Sequence, residues 1–232
     1  MHVLLPDKGE PPFAAFYLLH GLSDDYTIWL RQTRIEMYAR EWPFIVVMPD
    51  GYRSMYTRNE EGPDYAKHFA EELTGFVERN FPAAASRSAR CIGGLSMGGY
   101  GALRLALGYP QKFGSAHSHS GALMHGAKRY TKPADGEMRR IFGRQPAGSD
   151  HDLLRLARRA RAAGRLPKIL VDCGTEDFLL EDNRRFHAEL TRAGIPHMYK
   201  EFAGSHNWDY WDLHIREALA FHADALGLRK TQ

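Results

Sequence analysis

Apolar residues in this chain fall in short blocks, and the spacing within the blocks alternates. Short, largely apolar runs bounded by Gly, Pro or charge predict buried strands. They cover Ala14 to Leu19, Phe44 to Met48, Ala89 to Gly93, Phe113 to Ser118, Ile169 to Cys173 and His197 to Phe202. Between them, apolar positions three and four apart predict helices over Ile35 to Glu41, Tyr65 to Phe81, Ala102 to Leu107, Leu180 to Ala193 and Asn207 to Leu226. In the second of these, Phe69, Leu73, Phe76 and Val77 share one face. The alternation predicts the α/β class, a mostly parallel sheet with helices on both faces.

The 232 residues suit one domain over 1–232, since a single core can grow to roughly 250 residues. The stretch from Ala122 to Pro167 is too long for an ordinary strand connection. It is expected to hold short helices. Its place beside the expected site makes 122–167 a cap-like insertion, against the plainer reading of a surface insertion with no role in substrate choice.

Composition narrows the class. No apolar run approaches the roughly 18 residues that span a bilayer. The opening MHVLLPDKGEPP meets Pro and charge too early for a secretory leader. Cys91 and Cys173 lie in separate predicted strands with another strand expected between them, too far apart for a disulfide. These features fit a soluble, cytoplasmic protein. The net charge of +3 gives no case for nucleic acid. Between Gly126 and Lys168, however, twelve Lys and Arg face four Asp and Glu. That run reads as a solvated helical face, or as an attractor for an anionic substrate or surface.

The chemistry concentrates at Gly94-Leu95-Ser96-Met97-Gly98, a G-x-S-x-G pattern between a buried strand and a helix. A sharp strand-to-helix turn would lift the Ser96 hydroxyl out of the sheet. It would also press together the residues two before and two after, so both must be small. Met97 N–H would sit at a helix N-terminus, where negative charge is favoured. A serine hydroxyl needs a base. His206, in the loop between the last strand and the last helix, fits; His187, His197, His214 and His222 read as surface or packing residues. The acid should follow the preceding strand, where Asp177 is the choice, Glu176 the rival, and Asp172 lies too far inside the strand. All three could instead belong to a charged loop capping the next helix. Leu22 N–H, after His20-Gly21, would be the second oxyanion donor, with His20 bracing that loop. His117 and His119 share a strand face but lack a third ligand, so no metal is expected. Trp208, Tyr210 and Trp211 suit an amphipathic helix start. Trp208 is also a candidate substrate-binding wall.

HGLSDDYTIW, VVMPDG, GGLSMGGYGALRLAL, CGTEDFLLEDNRRFHAEL and GSHNWDYWDLHIREAL, in that order, resemble the esterase D-like family of α/β-hydrolases, from about Val3 to Leu226. That family includes S-formylglutathione hydrolases, short-chain tributyrin and acetyl esterases, and feruloyl esterases. The resemblance implies the α/β-hydrolase fold, a serine carboxylesterase needing no cofactor, and a small-molecule ester as partner, with homo-oligomerisation left open. It also implies Ser96, Asp177 and His206 as a triad, with Leu22 and Met97 as oxyanion donors. S-formylglutathione hydrolases usually carry Thr-Cys after the oxyanion-loop glycine and leucine. Ser23-Asp24 stands here and points to the tributyrin esterase branch. Family members usually have more N-terminal β structure, so a shortened sheet edge is expected.

Overall fold

The computed structural model describes residues 1–231. Seven strands form one sheet in the order β1-β3-β2-β4-β5-β6-β7. They are β1 (His2–Leu4), β2 (Ala14–Leu19), β3 (Phe44–Met48), β4 (Arg90–Leu95), β5 (Ser115–His119), β6 (Lys168–Gly174) and β7 (Met198–Phe202). All neighbours run parallel except β1, which pairs antiparallel with β3. β1 did not figure among the predicted strands; three residues are too few to show a period. In β2, Ala15, Tyr17 and Leu19 join one apolar cluster while Phe16 and Leu18 join a second. Every residue of β2 to β5 is buried, as a sheet covered by helices on both faces requires.

The helices are α1 (Ile28–Gln32), α2 (Ile35–Ala39), α3 (Tyr65–Lys67), α4 (Thr74–Asn80), α5 (Met97–Gly108), α6 (Gly136–Phe142), α7 (Leu153–Ala162), α8 (Leu180–Arg192) and α9 (Trp208–Leu226). The helix expected over Tyr65 to Phe81 is interrupted by a π-helical stretch, His68–Leu73, between α3 and α4. The wider turn shifts the register of α4. Phe69, Leu73 and Val77 stay buried, but Phe76 is turned out to 43% exposure. In the same way the 122–167 stretch, which breaks the sequence rhythm, contains a necessity of the topology. Parallel β5 and β6 need a crossover, and α7 supplies it. Its Leu153, Leu156, Ala157 and Ala160 pack into the core. Its other face carries Arg155 and Arg159, both on Asp150.

Cys91 and Cys173 are buried and free, on β4 and β6 with β5 between them. Among the described residues, no helix is long and apolar enough to cross a membrane.

Candidate active site

The turn from β4 into α5 sets the geometry. Ser96 has φ 53° and ψ −114°, a backbone conformation that L-residues rarely adopt. Two hydrogen bonds to its carbonyl, from Tyr100 N–H and Ala122 N–H, hold it there, and its own N–H donates to His119 O at 2.9 Å. The flanking glycines are required by space. A Cβ on Gly94 would lie 2.6 Å from Leu19 O and 2.9 Å from the Gly98 carbonyl carbon, and one on Gly98 would lie 2.7 Å from His20 O. The turn is thus pressed against the end of β2, where the loop that carries Leu22 begins. Met97 opens α5, and a helix leaves its first N–H groups without an acceptor in the helix itself.

Asp177 follows β6 and His206 follows β7, so both lie at the sheet edge that carries Ser96. His206 Nδ1 donates to Asp177 Oδ2 at 2.8 Å. Asp177 Oδ1 accepts from Leu179 N–H at 2.8 Å. Burial works to raise the Asp177 pKa, but the bonds from His206, Leu179 N–H and Ser120 outweigh it and hold the carboxyl below the usual range. The rival Glu176 is exposed, and what it contributes is its backbone N–H, donated to Gly204 O at 2.9 Å. Among the described residues, Ser96 Oγ makes no hydrogen bond to His206; the turn and the two loops bring these groups to one edge without joining them.

The loop carrying Leu22 is braced from below. His20 Nδ1 donates to Gly21 O at 2.8 Å, and its Nε2 accepts from Gly51 N–H at 2.9 Å. Gly21 N–H donates to Asp24 Oδ2 at 3.2 Å. Tyr56, which the sequence did not single out, is fully buried and exchanges hydrogen bonds with the His20 backbone through its hydroxyl. A Cβ on Gly101 of α5 would lie 2.5 Å from its ring, so Tyr56 is wedged between α5 and the loop. Leu22 borders an open depression with Ser23, Asp24, Asp25, Asp50, Tyr52 and Arg53. Arg53 forms a bidentate pair with Glu137, at 2.6 and 2.7 Å, that fastens this rim to α6 of the inserted stretch.

Trp208 sits between Trp29 and Trp211, both edge-on, at 5.4 and 5.0 Å. Trp29 in turn donates to Leu19 O at 3.1 Å. This aromatic row joins the end of β2 to His206, whose ring lies 4.9 Å from Trp211.

Below the site lies a buried polar chain. Asp172 Oδ2 accepts from His119 Nδ1 at 2.7 Å, and Asp172 Oδ1 from Tyr210 hydroxyl at 2.9 Å. His117 Nδ1 meets His222 Nε2 at 2.8 Å, and His222 Nδ1 meets Ser115 Oγ at 2.8 Å. His117 and His119 therefore serve packing and α9 attachment. Among the described residues no group of three or more His, Cys, Asp or Glu is arranged to hold a metal ion. His214 stacks on Phe202, and His187 pairs with His197 away from this edge.

The arrangement provides a hydroxyl on a strained turn and an imidazole tied to a buried carboxylate. These are parts suited to acyl transfer. A family model described as "Putative esterase" matches residues 1–222. An acetyl esterase of Caldicellulosiruptor saccharolyticus is 36% identical over 223 residues, covering 91% of this chain and 84% of its own length. Among solved structures, the substrate-bound fluorophosphonate-binding serine hydrolase F of Staphylococcus aureus superposes with a TM-score of 0.84 at 32% identity, covering 95% of this chain and 90% of that one. An S-formylglutathione hydrolase apoenzyme of the same organism gives 0.82 at 33% identity, covering 95% and 91%. The sheet order and the helices on both faces are those of the α/β-hydrolase fold.

Proposed function

The chain belongs to the Putative esterase family and hydrolyses carboxylic esters, and we propose that it does so on short-chain acyl esters through Ser96, His206 and Asp177. The observation that carries this reading is the 2.8 Å bond from His206 Nδ1 to the buried Asp177. It leaves Nε2 as the free nitrogen of a ring at the same sheet edge as Ser96.

His206 Nε2 takes the Ser96 proton as Oγ attacks the ester carbonyl. The resulting oxyanion is held by the N–H groups of Leu22 and Met97. Asp177 fixes the tautomer and stabilises the imidazolium without itself being protonated. The imidazolium then gives its proton to the departing alcohol, leaving Ser96 acylated. Water gives a proton to His206 as its oxygen attacks the acyl-enzyme carbonyl; the C–Oγ bond then breaks, His206 returns that proton to Ser96 Oγ, and the carboxylic acid leaves. Every step is served by these side chains and backbone donors, so the reaction calls for no metal or cofactor.

Short acyl groups are favoured by the Trp29, Trp208 and Trp211 row, which fills space beside His206, and by the likeness to an acetyl esterase. The inserted 122–167 stretch bounds the site on the Arg53–Glu137 side as a fastened cap. Measuring kcat/KM across p-nitrophenyl esters tests the size limit. A steep fall beyond about C4 is expected, since each methylene left unburied forgoes ~0.8 kcal/mol. A flat profile to C10 would refute it.

A second reading, hydrolysis of S-formylglutathione, is favoured by the S-formylglutathione hydrolase neighbour at 33% identity. Asp24, Asp25 and Asp50 on the rim stand against it, because glutathione brings its own carboxylates to that acidic lip. Turnover of that thioester compared with an acetyl ester separates the two.

A further inference from the structure

Phe178 is 77% exposed, more than any other large apolar side chain among the described residues. Its backbone is nevertheless fixed. Asp177 N–H donates to Gly174 O at 3.2 Å, Leu180 N–H to Asp177 O at 3.0 Å, and Leu179 N–H to the Asp177 carboxylate at 2.8 Å. The bonds that hold the acid therefore also hold Phe178 at the tip of its turn. Leu179 and Leu180 on its C-terminal side are buried, so packing of α8 is served without it.

The Phe178 ring lies 4.5 Å from the His206 ring, tilted by 51°. Trp211 is also against that imidazole, edge-on at 4.9 Å, and only 5% exposed. The imidazole thus has one buried aromatic neighbour and one that faces solvent. An exposed ring in this position gains free energy only when something covers it.

We infer that Phe178 walls a leaving-group subsite that takes esters with an aromatic or bulky apolar alcohol half. The inference rests on His206 being the base of the proposed function. The alcohol oxygen must come within hydrogen-bond reach of His206 Nε2 to receive its proton. Whatever is attached to that oxygen then passes beside the imidazole, and on the solvent side it meets Phe178. The acyl half, bonded to Ser96 and bounded on the buried side by the Trp29, Trp208 and Trp211 row, does not. A flat ring would cover Phe178 in the offset or tilted geometry that aromatic pairs prefer. A methyl group or a small polyhydroxylated alcohol would leave it wet.

Benzyl acetate and methyl acetate share the acyl half and release primary alcohols, so their ratio reads the subsite with little difference in leaving-group chemistry. The wild-type protein is expected to favour benzyl acetate about tenfold in kcat/KM, chiefly through KM. Phe178→Ala should bring the ratio to within about twofold while methyl acetate turnover stays within about twofold of wild type, and Phe178→Tyr should keep the preference. A ratio unchanged in Phe178→Ala overturns the inference. So does an equal loss on both esters, which would mean that the ring only steadies His206. His206→Asn, assayed on methyl acetate alone, tests the premise separately, because retained turnover there removes the base and not the subsite.

Discussion

Tyr210 and Asp172 are joined by a 2.9 Å hydrogen bond between the first turn of α9 and the middle of β6, both side chains almost wholly buried. The bond lies directly beneath the loop that carries His206. Tyr210 N–H is capped by Asn207, and a Cβ on Gly204 would lie 2.8 Å from the Tyr210 ring. The other Asp172 oxygen holds His119, whose carbonyl accepts the Ser96 N–H. One buried carboxylate therefore connects the backbone of Ser96 with the loop that carries His206.

Removing the hydroxyl in Tyr210→Phe should cost about 1–3 kcal/mol of stability, as expected for a buried bond to a charged acceptor. It should also lower kcat several-fold while KM stays near wild type, because the His206 loop loses its anchor and the binding surface does not. Chemical denaturation and steady-state kinetics on one preparation check both. Full kcat in a destabilised variant would show that the bond serves folding alone.

Stability should fall on acidification in a window set by buried histidines. Desolvation is the largest cause in each case. It pushes His125 down to about 4 and His222 to about 3, and lowers His117 and His151 as well. In the unfolded chain a histidine takes a proton near pH 6.5. Between about pH 6.5 and 4 the unfolded state therefore binds protons that the folded state refuses, and stability rises with pH. Asp177, held low in the fold, adds stability above the ordinary carboxylate pKa that disappears as pH drops through its lowered value. Tm measured from pH 7 to pH 4 should decline steadily, and His222→Gln should flatten that decline. A Tm independent of pH over this range would contradict the assignment of neutral buried rings.

The choice of acid is testable by exchange. Asp177→Asn removes the carboxylate that sets the His206 tautomer, and losses of up to ~10⁴-fold in kcat are known for such a change. Glu176→Gln should remain near wild type, since its side chain is exposed and Glu176 reaches the base loop through its backbone. Comparison of kcat/KM for the two variants decides it, and a larger loss in Glu176→Gln would reverse the assignment.

The parts of this molecule that were readable in the sequence are local. Gly94 and Gly98 announce the Ser96 turn because their spacing about the serine is a pattern within five residues, although most of the crowding that requires them comes from Leu19 and His20 at the end of β2. The order of Asp177 and His206 after successive strands led the sequence reading to pair them, and the two are hydrogen-bonded. The Asp172–Tyr210 bond spans 38 residues and the Tyr56–His20 contact spans 36, and neither leaves a periodic mark. Asp172 was set aside as the acid because it lies inside the strand; a carboxylate buried there needs a partner, and that requirement was the available signal for Tyr210 and His119. The exposure of Phe76 comes from a π-helical stretch that ordinary helical spacing does not anticipate. Short helices were expected in 122–167, but the Arg-rich face of α7 drew the reading to its solvated side and away from the buried stripe that completes the β5–β6 crossover.

The most direct test of the account is Ser96→Ala, assayed on an acetyl ester and by labelling with a fluorophosphonate, with Tm recorded alongside. The account predicts a folded protein whose esterase activity is lower by on the order of 10⁴-fold or more and which takes up no label. Activity within about tenfold of wild type, or undiminished labelling at another residue, would contradict it.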